Sequence, residues 1–296
     1  MDAGPVSGRD PRHDPGFAEH LTEDDMRLLR SVAGDVRDRN LVALLGDPRL
    51  FEAVFGRPST VDGQIAAAGG LGQSSTVSPF LVFAVAVHRA AADLSALGHL
   101  PERSGMRQRI PVFDTPQLRD FLSSASRRLF LTELLASFTR VTSGRYWVRS
   151  GGRVRARRYS ELDPVRLAGL LDAVPEESRP GVYRRLGDVS LFLTGVFPDY
   201  SAAGALGPVD VSRLLRIARV PAGDRDGLAT APPIDLLEYL GARWYRAALT
   251  VAPVRTAGLE VVGEVADRFR HARRILNHLA DRYLLGPDNP WFAAHG

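Results

Sequence analysis

The stretch RPGVYRRLGDVSLFLTGVF, residues 179–197, predicts a helix that is buried on nearly all sides. Pro180 lies in its first turn, where a helix leaves backbone N–H groups unpaired and proline is tolerated. Residues 189–197 are apolar nearly all round, which is typical of a helix surrounded by other elements. Gly187 and Gly195 lack side chains, so we expect a neighbouring helix to approach closely at these positions.

Asp188 lies between a glycine and the apolar part of this helix. A buried carboxylate needs a partner. Arg184 and Arg185 lie one turn before it, and Arg243 or Arg246 on another helix could also reach it. We interpret Asp188 as part of a structural ion pair rather than as a catalytic acid.

Cap residues followed by apolar residues at spacings of three and four predict helices along most of the chain. These helices begin at a capping box in 22–25, at Asp47, at Ser78-Pro79, at Asp114, at Asp163-Pro164 and near residues 209, 234 and 256. The region after Asp114 is expected to break at Ser123-Ser124. Residues 256–285 are predicted to form one helix, on which 234–251 folds back. Residues 221–233 are interpreted as a flexible connection.

The predicted fold class is therefore mainly all-α, a multi-helix globular protein with one short β-hairpin near residues 145–158. Residues 1–18 are rich in proline, glycine and charge and are predicted to form a disordered tail. The remaining regions are an N-terminal helical region over 19–143, an Arg-rich β-hairpin over 144–159 and a C-terminal helical region over 160–290. The alternative is one continuous domain over 19–290.

Two residue types are absent from the 296 residues, and their absence excludes several enzyme classes. The chain has no cysteine, which rules out thiol nucleophiles, disulfides and cysteine metal sites. It also has no lysine, so all 38 basic residues are arginine. Phosphate-binding P-loops, kinase sites, pyridoxal Schiff bases and Ser–Lys dyads all require that lysine. The seven histidines show no metal-binding spacing, and no cofactor is expected.

Residues 144–159, GRYWVRSGGRVRARRY, predict the hairpin, and the loop length determines which residues share a face. A two-residue loop would place Trp147, Val154 and Ala156 on one face with Arg145, Arg149 and Arg158. A three-residue loop, 150–152, gives Gly152 the left-handed position of a G1 bulge. It would collect Arg145, Trp147, Arg149, Arg153, Arg155 and Arg157 on one face. Because the other face must then cover a core, we expect the three-residue loop.

Positive charge is concentrated around this hairpin. Residues 134–160 contain seven arginines and no acid, whereas the whole chain carries a net charge of +4. A two-stranded ribbon fits a DNA groove, arginines neutralise phosphates, and Trp147 can stack on a base. The predicted nucleic-acid-binding residues are Arg145, Trp147, Arg149, Arg153, Arg155 and Arg157.

The leading hypothesis is a non-catalytic, nucleic-acid-associated or regulatory protein that binds DNA or RNA through the hairpin. One alternative is a helical protein–protein interaction scaffold. For the hairpin itself, the alternatives to nucleic acid are an acidic protein partner or anionic surface, and no ligand at all. The other alternative for the whole protein is a metal-independent ribonuclease, because Arg273 and His278 have the R-x4-H spacing of HEPN-type enzymes. Chance explains that spacing in an arginine-rich chain. In the heptad frame of the predicted last helix, His278 falls on the outer surface.

Three further stretches bear on location and ligands. The longest apolar run, residues 80–87, ends at His88-Arg89 and is too short for a membrane span. The first residues show no secretory signal, so a cytoplasmic location is expected. GGLGQSS, residues 69–75, is interpreted as a linker rather than a phosphate-binding loop. His88 is interpreted as a core or boundary histidine.

Four segments together resemble a family of helical proteins from high-GC bacteria for which no activity is established. They are SPFLVFAVAVHRAAADL, ELDPVRLAGLLDAVPEESRPGVYRRLGDVSLFLTGVFPDY, GARWYRAA and FRHARRILNHLADRYL. The resemblance covers about two thirds of the chain. It implies that residues 20–290 form one recurring unit, and it implies no site residues.

Overall fold

A computed structural model describes residues 16–33, 65, 75–103, 109–150, 153–199 and 206–284, and it describes the backbone alone at 147–150 and 153–157. The predicted helix at 47–56 and residues 69–74 of the glycine-rich stretch lie outside the described residues. The described part is mainly helical with two short antiparallel β-hairpins, so the predicted fold class is confirmed.

The α-helices of the described part are numbered here in chain order. They are α1 (Glu23–Ala33), α2 (Pro79–Ala96), α3 (Thr115–Ser123), α4 (Ala125–Ser137), α5 (Pro164–Ala168), α6 (Arg179–Val196), α7 (Pro208–Ile217), α8 (Ala222–Ala229), α9 (Pro233–Val251), α10 (Ala257–Asp267) and α11 (Phe269–Leu279). One hairpin pairs β1 (Leu100–Arg103) with β2 (Arg109–Val112), and the other pairs β3 (Ser143–Ser150) with β4 (Arg153–Ser160). A π-helical turn, Ala280–Leu284, follows α11.

Most of the predicted helix starts are confirmed because their caps are local. The Ser78 hydroxyl accepts the Leu81 N–H at the start of α2, and Asp163 accepts two backbone N–H groups at the start of α5. The predicted break at 123–124 separates α3 from α4, and Ser124 caps α4 by accepting the Arg127 N–H. These caps satisfy N–H groups that the first helical turn leaves unpaired.

Helix α6 lies at the centre of the fold, and glycines allow its neighbours to approach. A Cβ added at Gly187 would lie 2.3 Å from Tyr245 of α9, and one at Gly195 would lie 2.6 Å from Leu276 of α11. Both predicted close approaches are therefore confirmed. A Cβ at Gly241 of α9 would lie 2.4 Å from the Phe269 ring. Helices α6, α9 and α11 thus pack closely against one another at glycine positions.

The C-terminal segment differs from the single helix predicted over 256–285. Arg268 has φ −118° and ψ 29°, so α10 ends there and α11 starts in a new direction. Helix α10 packs on α9, whereas α11 packs mainly on α6. The apolar spacing was correct, since Val262, Val265 and Leu276 are all buried. The prediction that 234–251 covers the whole segment was wrong, because its apolar residues contact two different helices, α9 and α6.

Two local predictions around loops are also wrong. Residues 221–233 were expected to be flexible, but Ala222–Ala229 forms α8, and the Arg225 Nε donates to the Val220 carbonyl at its start. Helix α8 has no buried residue, so its apolar pattern gave no signal. The second is the segment from the end of α2 to Phe113, which the sequence pattern predicts to be a loop but which contains the hairpin of β1 and β2; β2 is largely exposed and contains a proline.

The folded part begins earlier than the boundary predicted at residue 19. Phe17 is fully buried, with its ring centroid 5.9 Å from that of Phe80 and 5.7 Å from that of His88. The predicted capping box is confirmed, because Thr22 and Asp25 exchange backbone-to-side-chain hydrogen bonds. The second carboxylate oxygen of Asp25 accepts the Ser78 N–H at 2.8 Å. His88 is buried in the core, as expected.

A single hydrophobic core includes residues of both predicted helical regions, from Phe17 to Leu284. Within the described ranges, α2 is the one helix long and apolar enough to cross a membrane by length and composition alone. However, 72% of that stretch is buried inside the protein. Its surroundings are those of a core helix, so it gives no clear indication of a membrane span.

Candidate functional sites

The Arg-rich hairpin exists, but its loop is shorter than predicted. Ser150 pairs with Arg153, which leaves two residues between β3 and β4. The predicted three-residue loop is therefore wrong. Gly-Gly is a favoured sequence for two-residue hairpin loops, whose twist matches that of paired strands. The argument for the longer loop assumed that a whole face of the hairpin covers a core.

The observed register distributes the predicted binding residues over two faces of the ribbon. Residues directly opposite each other lie on the same face, and residues alternate between faces along a strand. One face carries positions Arg145, Trp147 and Arg149, opposite Arg158, Ala156 and Val154. The other carries Arg153, Arg155 and Arg157, opposite Ser150, Val148 and Tyr146. The single arginine face expected from the sequence is not formed.

Two tyrosines pack at the base of the ribbon, and one of them contacts the helical part of the protein. A Cβ at Gly169 would lie 2.6 Å from the Tyr146 hydroxyl, so that ring packs directly on the backbone after α5. On the same ribbon face, the ring of Tyr159 covers Gly144, where a Cβ would lie 2.8 Å from it. This face is therefore the inner one at the base of the ribbon. No pattern in the sequence indicates that these tyrosines act as a pair.

Glu161, directly after β4, also attaches the base of the ribbon to the helices. Glu161 accepts the Thr142 backbone N–H and a hydrogen bond from Arg185 of α6, both at 3.1 Å. Arg185 also donates to the Ser137 hydroxyl and stacks 3.9 Å above the Phe138 ring. The ribbon is thus joined through Glu161 to the central helix and to α4.

The outer face of the base presents unneutralised positive charge. Arg145 and Arg158 are opposite each other and exposed. Among the described residues, neither forms an ion pair with a carboxylate. The nearest acids in sequence, Glu133 and Glu161, lie outside the paired strands, and Glu161 is engaged by Arg185. Like charges directly opposite in a ribbon repel. A bound polyanion would remove this repulsion.

The two residues proposed for a ribonuclease are both buried, contrary to the outer position predicted for His278. Arg273 is 5% exposed and His278 is 8% exposed. The heptad frame failed because it assumed one straight helix through Arg268. The two positions are five residues apart on α11, which places them about 140° apart around the helix. The geometry does not bring them together on one face.

Both residues are held by carboxylates from other elements. Arg273 donates to Glu238 of α9 at 2.8 Å and to Glu102 of β1. Glu102 also accepts a hydrogen bond from Arg274. The His278 Nε2 lies 3.4 Å from the Asp93 carboxylate of α2. Sequence reasoning missed these partners because each lies more than thirty residues away.

Asp93 is stabilised in its charged form. Burial alone would raise its pKa, but the neighbouring His278 ring, the hydrogen bond from Tyr283 and the charge of Arg282 outweigh that effect. The pKa of Asp93 is therefore lowered. Arg282 lies 2.8 Å away in an ion pair, and the Tyr283 hydroxyl donates at 2.6 Å.

Asp188 has the opposite electrostatic environment. It is buried, accepts a hydrogen bond from the Tyr245 hydroxyl at 2.9 Å and lies 3.7 Å from Arg184. The predicted pairing with Arg184 is confirmed, whereas Arg243 and Arg246 contact other groups. Burial raises the pKa of Asp188, because these partners offset only part of the lost hydration.

The opposite pKa shifts of Asp188 and Asp93 predict opposite pH dependences of the free energy of unfolding. The raised pKa of Asp188 means that ionisation costs stability as pH rises above the unfolded value of 3.8. The stability of Asp188→Asn relative to wild type should therefore increase between pH 4 and pH 7. The lowered pKa of Asp93 means that its stabilisation is present above 3.8 and lost as pH falls through the folded pKa.

Asp93→Asn should therefore lose stability relative to wild type as pH rises, with about 1.4 kcal/mol for each unit of pKa displacement. Urea unfolding of the wild type and both variants from pH 3 to pH 8, followed by circular dichroism, measures the two slopes. Slopes of the same sign for both variants would contradict the assignment of the two environments.

No group of three metal-binding side chains is present in the part of the chain that the structure describes. Comparison with known proteins found no matching family model, no matching curated protein and no matching solved structure. The resemblance noted from the sequence stays a prediction. The function is therefore argued from the geometry of the chain itself.

Proposed function

We propose that the protein is a non-catalytic, nucleic-acid-associated or regulatory protein that binds DNA or RNA through the β3–β4 ribbon. The observation that carries the proposal is the exposed Arg145–Arg158 pair at the outer base of a ribbon that contains no acid. A cytoplasmic location, as expected from the sequence, belongs to the same proposal.

The dimensions of the ribbon support this function. Each strand has eight residues, which at about 3.3 Å per residue gives a length of about 26 Å. A two-stranded ribbon fits the major groove of B-DNA, which is about 12 Å wide. The contacts that Tyr146 and Glu161 make with the rest of the protein lie at the base of the ribbon.

The distribution of arginines over two faces suits a polyanion with charge on both sides. A ribbon in a groove has a phosphate backbone on either flank, and arginines contact phosphates without regard to sequence. Arg145, Arg149 and Arg158 occupy the outer face, and Arg153, Arg155 and Arg157 occupy the other. Trp147 lies on the outer face, where an aromatic residue can stack on an unpaired base.

Charge reversal on each face tests the proposal. We expect Arg145/Arg149/Arg158→Glu and Arg153/Arg155/Arg157→Glu each to abolish binding to duplex DNA or RNA without unfolding the protein. If 4–6 phosphates are contacted, log K for wild type should fall with log salt concentration at a slope of about −4 to −5 on duplex DNA. Fluorescence anisotropy with labelled duplexes and single strands at several salt concentrations measures both quantities.

A matched control changes the same amount of charge elsewhere. Arg119, Arg216 and Arg255 are exposed and make no ion pair with the described residues. The variant Arg119/Arg216/Arg255→Glu should keep at least about a third of the wild-type affinity, because distant charges are screened by salt. Salt-independent binding, or an equal loss in the control, would refute binding by the ribbon. A complex with protein that survives nuclease treatment would instead support the acidic-partner alternative.

A further inference from the structure

A pocket that is separate from the ribbon lies between the C-terminal end of α7, the middle and end of α9, and the start of α6. Its volume is about 330 Å³. Small-molecule sites in proteins start at about this size. The size allows a small organic ligand.

The lining of this pocket is basic and aromatic. Three arginines, Arg219, Arg243 and Arg246, line it together with Tyr183 and two further aromatic residues of α9, and no aspartate or glutamate does. Arg246 is neutralised by Asp267 at 3.0 Å. Arg243 donates to the backbone carbonyls of Ala218 and Arg219, so its charge has no carboxylate partner among the described residues. A pocket of this composition favours an anion with a planar apolar body.

Trp244 adds an unused hydrogen-bond donor. The residue is fully buried and lines the pocket, and its indole Nε1 has no acceptor in the described part of the chain. Buried N–H groups are nearly always paired in proteins. Because the side chain is fully buried, this donor would reach an acceptor on a ligand only if the indole shifts toward the pocket on binding.

The backbone at the rim of the pocket is unusual at Arg219. It has φ 52°, in the left-handed region that favours glycine, and directly follows the C-cap of α7. The Val220 N–H donates to the Leu215 carbonyl at 3.0 Å, which closes the helix as a glycine motif normally does. Arg219 is exposed and makes no ion pair in the described ranges, so its side chain does not compensate for the strain. Strain of this kind is concentrated at functional sites.

We propose that this pocket binds a small planar organic anion, an aromatic carboxylate in chemical class, with Arg219 and Arg243 holding the carboxylate and the aromatic residues contacting the ring. The two arginines supply the charge. Tyr239 of α9 and Tyr183 of α6, both partly exposed, supply flat surfaces on two different elements. The site is independent of the ribbon and of its proposed ligand.

Calorimetric titration of the full chain with salicylate and with salicylamide, its neutral counterpart, tests the proposal. We expect salicylate to bind with a Kd of about 1 mM or lower and salicylamide at least tenfold more weakly. Arg219→Gln should weaken salicylate binding at least tenfold. Arg216→Gln changes an exposed arginine of α7 that does not line the pocket, and it should leave salicylate binding unchanged.

Arg219→Gly separates binding from folding. Glycine suits the left-handed conformation, so this variant should fold at least as well as wild type and still lose salicylate binding. Equal affinity for salicylate and salicylamide, binding that survives both Arg219 variants, or no salicylate binding would each overturn the proposal. Binding of inorganic phosphate alone in place of salicylate would overturn the planar ligand class.

Discussion

Gly187→Ala should lower the free energy of unfolding by about 2–4 kcal/mol, a large effect for one added methyl group. The new Cβ would lie 2.3 Å from the Tyr245 ring. That ring is fully buried, lies 5.9 Å from the Phe130 ring and 5.8 Å from the Phe269 ring, and donates a hydrogen bond to Asp188. Because these contacts hold the ring on several sides, α6 and α9 must separate to admit the methyl group.

The same helix offers a matched control. A Cβ added at Gly181 meets no described atom within 4 Å. Gly181→Ala should therefore be neutral or stabilise the helix by up to about 1 kcal/mol. Urea unfolding of the two variants and the wild type measures the difference. Similar stabilities for Gly187→Ala and Gly181→Ala would show that α6 and α9 are not packed through this glycine.

Arg273→Met should cost about 2–3 kcal/mol, because it removes the buried cation that two carboxylates share and leaves each with one arginine, Glu102 with Arg274 and Glu238 with Arg270. Arg273 is the cation that bridges Glu102 of β1 and Glu238 of α9. The side chains of Glu102 and Glu238 are only 13% and 12% exposed, so water cannot fully replace the lost charge. Three elements that are distant in sequence would lose their common contact.

An exposed ion pair provides the comparison. The side chain of Arg166 is 56% exposed and lies 3.0 Å from Asp163. Arg166→Met should cost less than about 1 kcal/mol, since exposed pairs contribute little. Adding Glu238→Gln to Arg273→Met should recover part of the loss, because the buried Glu238 carboxylate would otherwise keep only Arg270, whose side chain is 60% exposed, as its cation. Thermal and urea unfolding of these variants tests the expectation, and equal losses at Arg166 and Arg273 would contradict it.

The sequence predicted the helix starts well because the determinants are a few residues apart. Ser78, Ser124 and Asp163 each cap a helix through contacts two or three residues along the chain. The glycines of α6 were equally readable, because a glycine in an apolar helix has few other roles. For the apolar residues of 256–285, the spacing predicts that Val262 and Leu276 are buried, but it does not predict which helix covers them.

The candidate sites were less predictable for the same reason. Composition was enough to predict the two strands of the ribbon. Their register depends on whether the loop has two or three residues, and this difference decides on which face Arg153, Arg155 and Arg157 lie. Glu102, Glu238 and Arg273 come together from three separate segments. The left-handed backbone at Arg219 gave no sequence signal, since arginine is not the residue expected there.

The carboxylate of Asp25 has a consequence for how the chain can be shortened. One of its oxygens completes the capping box of α1, and the other accepts the Ser78 N–H that precedes α2. A chain that begins after α1 would leave that amide without its acceptor and would expose Phe80, on which Phe17 and His20 pack. The N-terminal segment therefore covers α2, the most apolar of these helices. A truncated protein that is meant to stay soluble should begin before Gly16 rather than at α2.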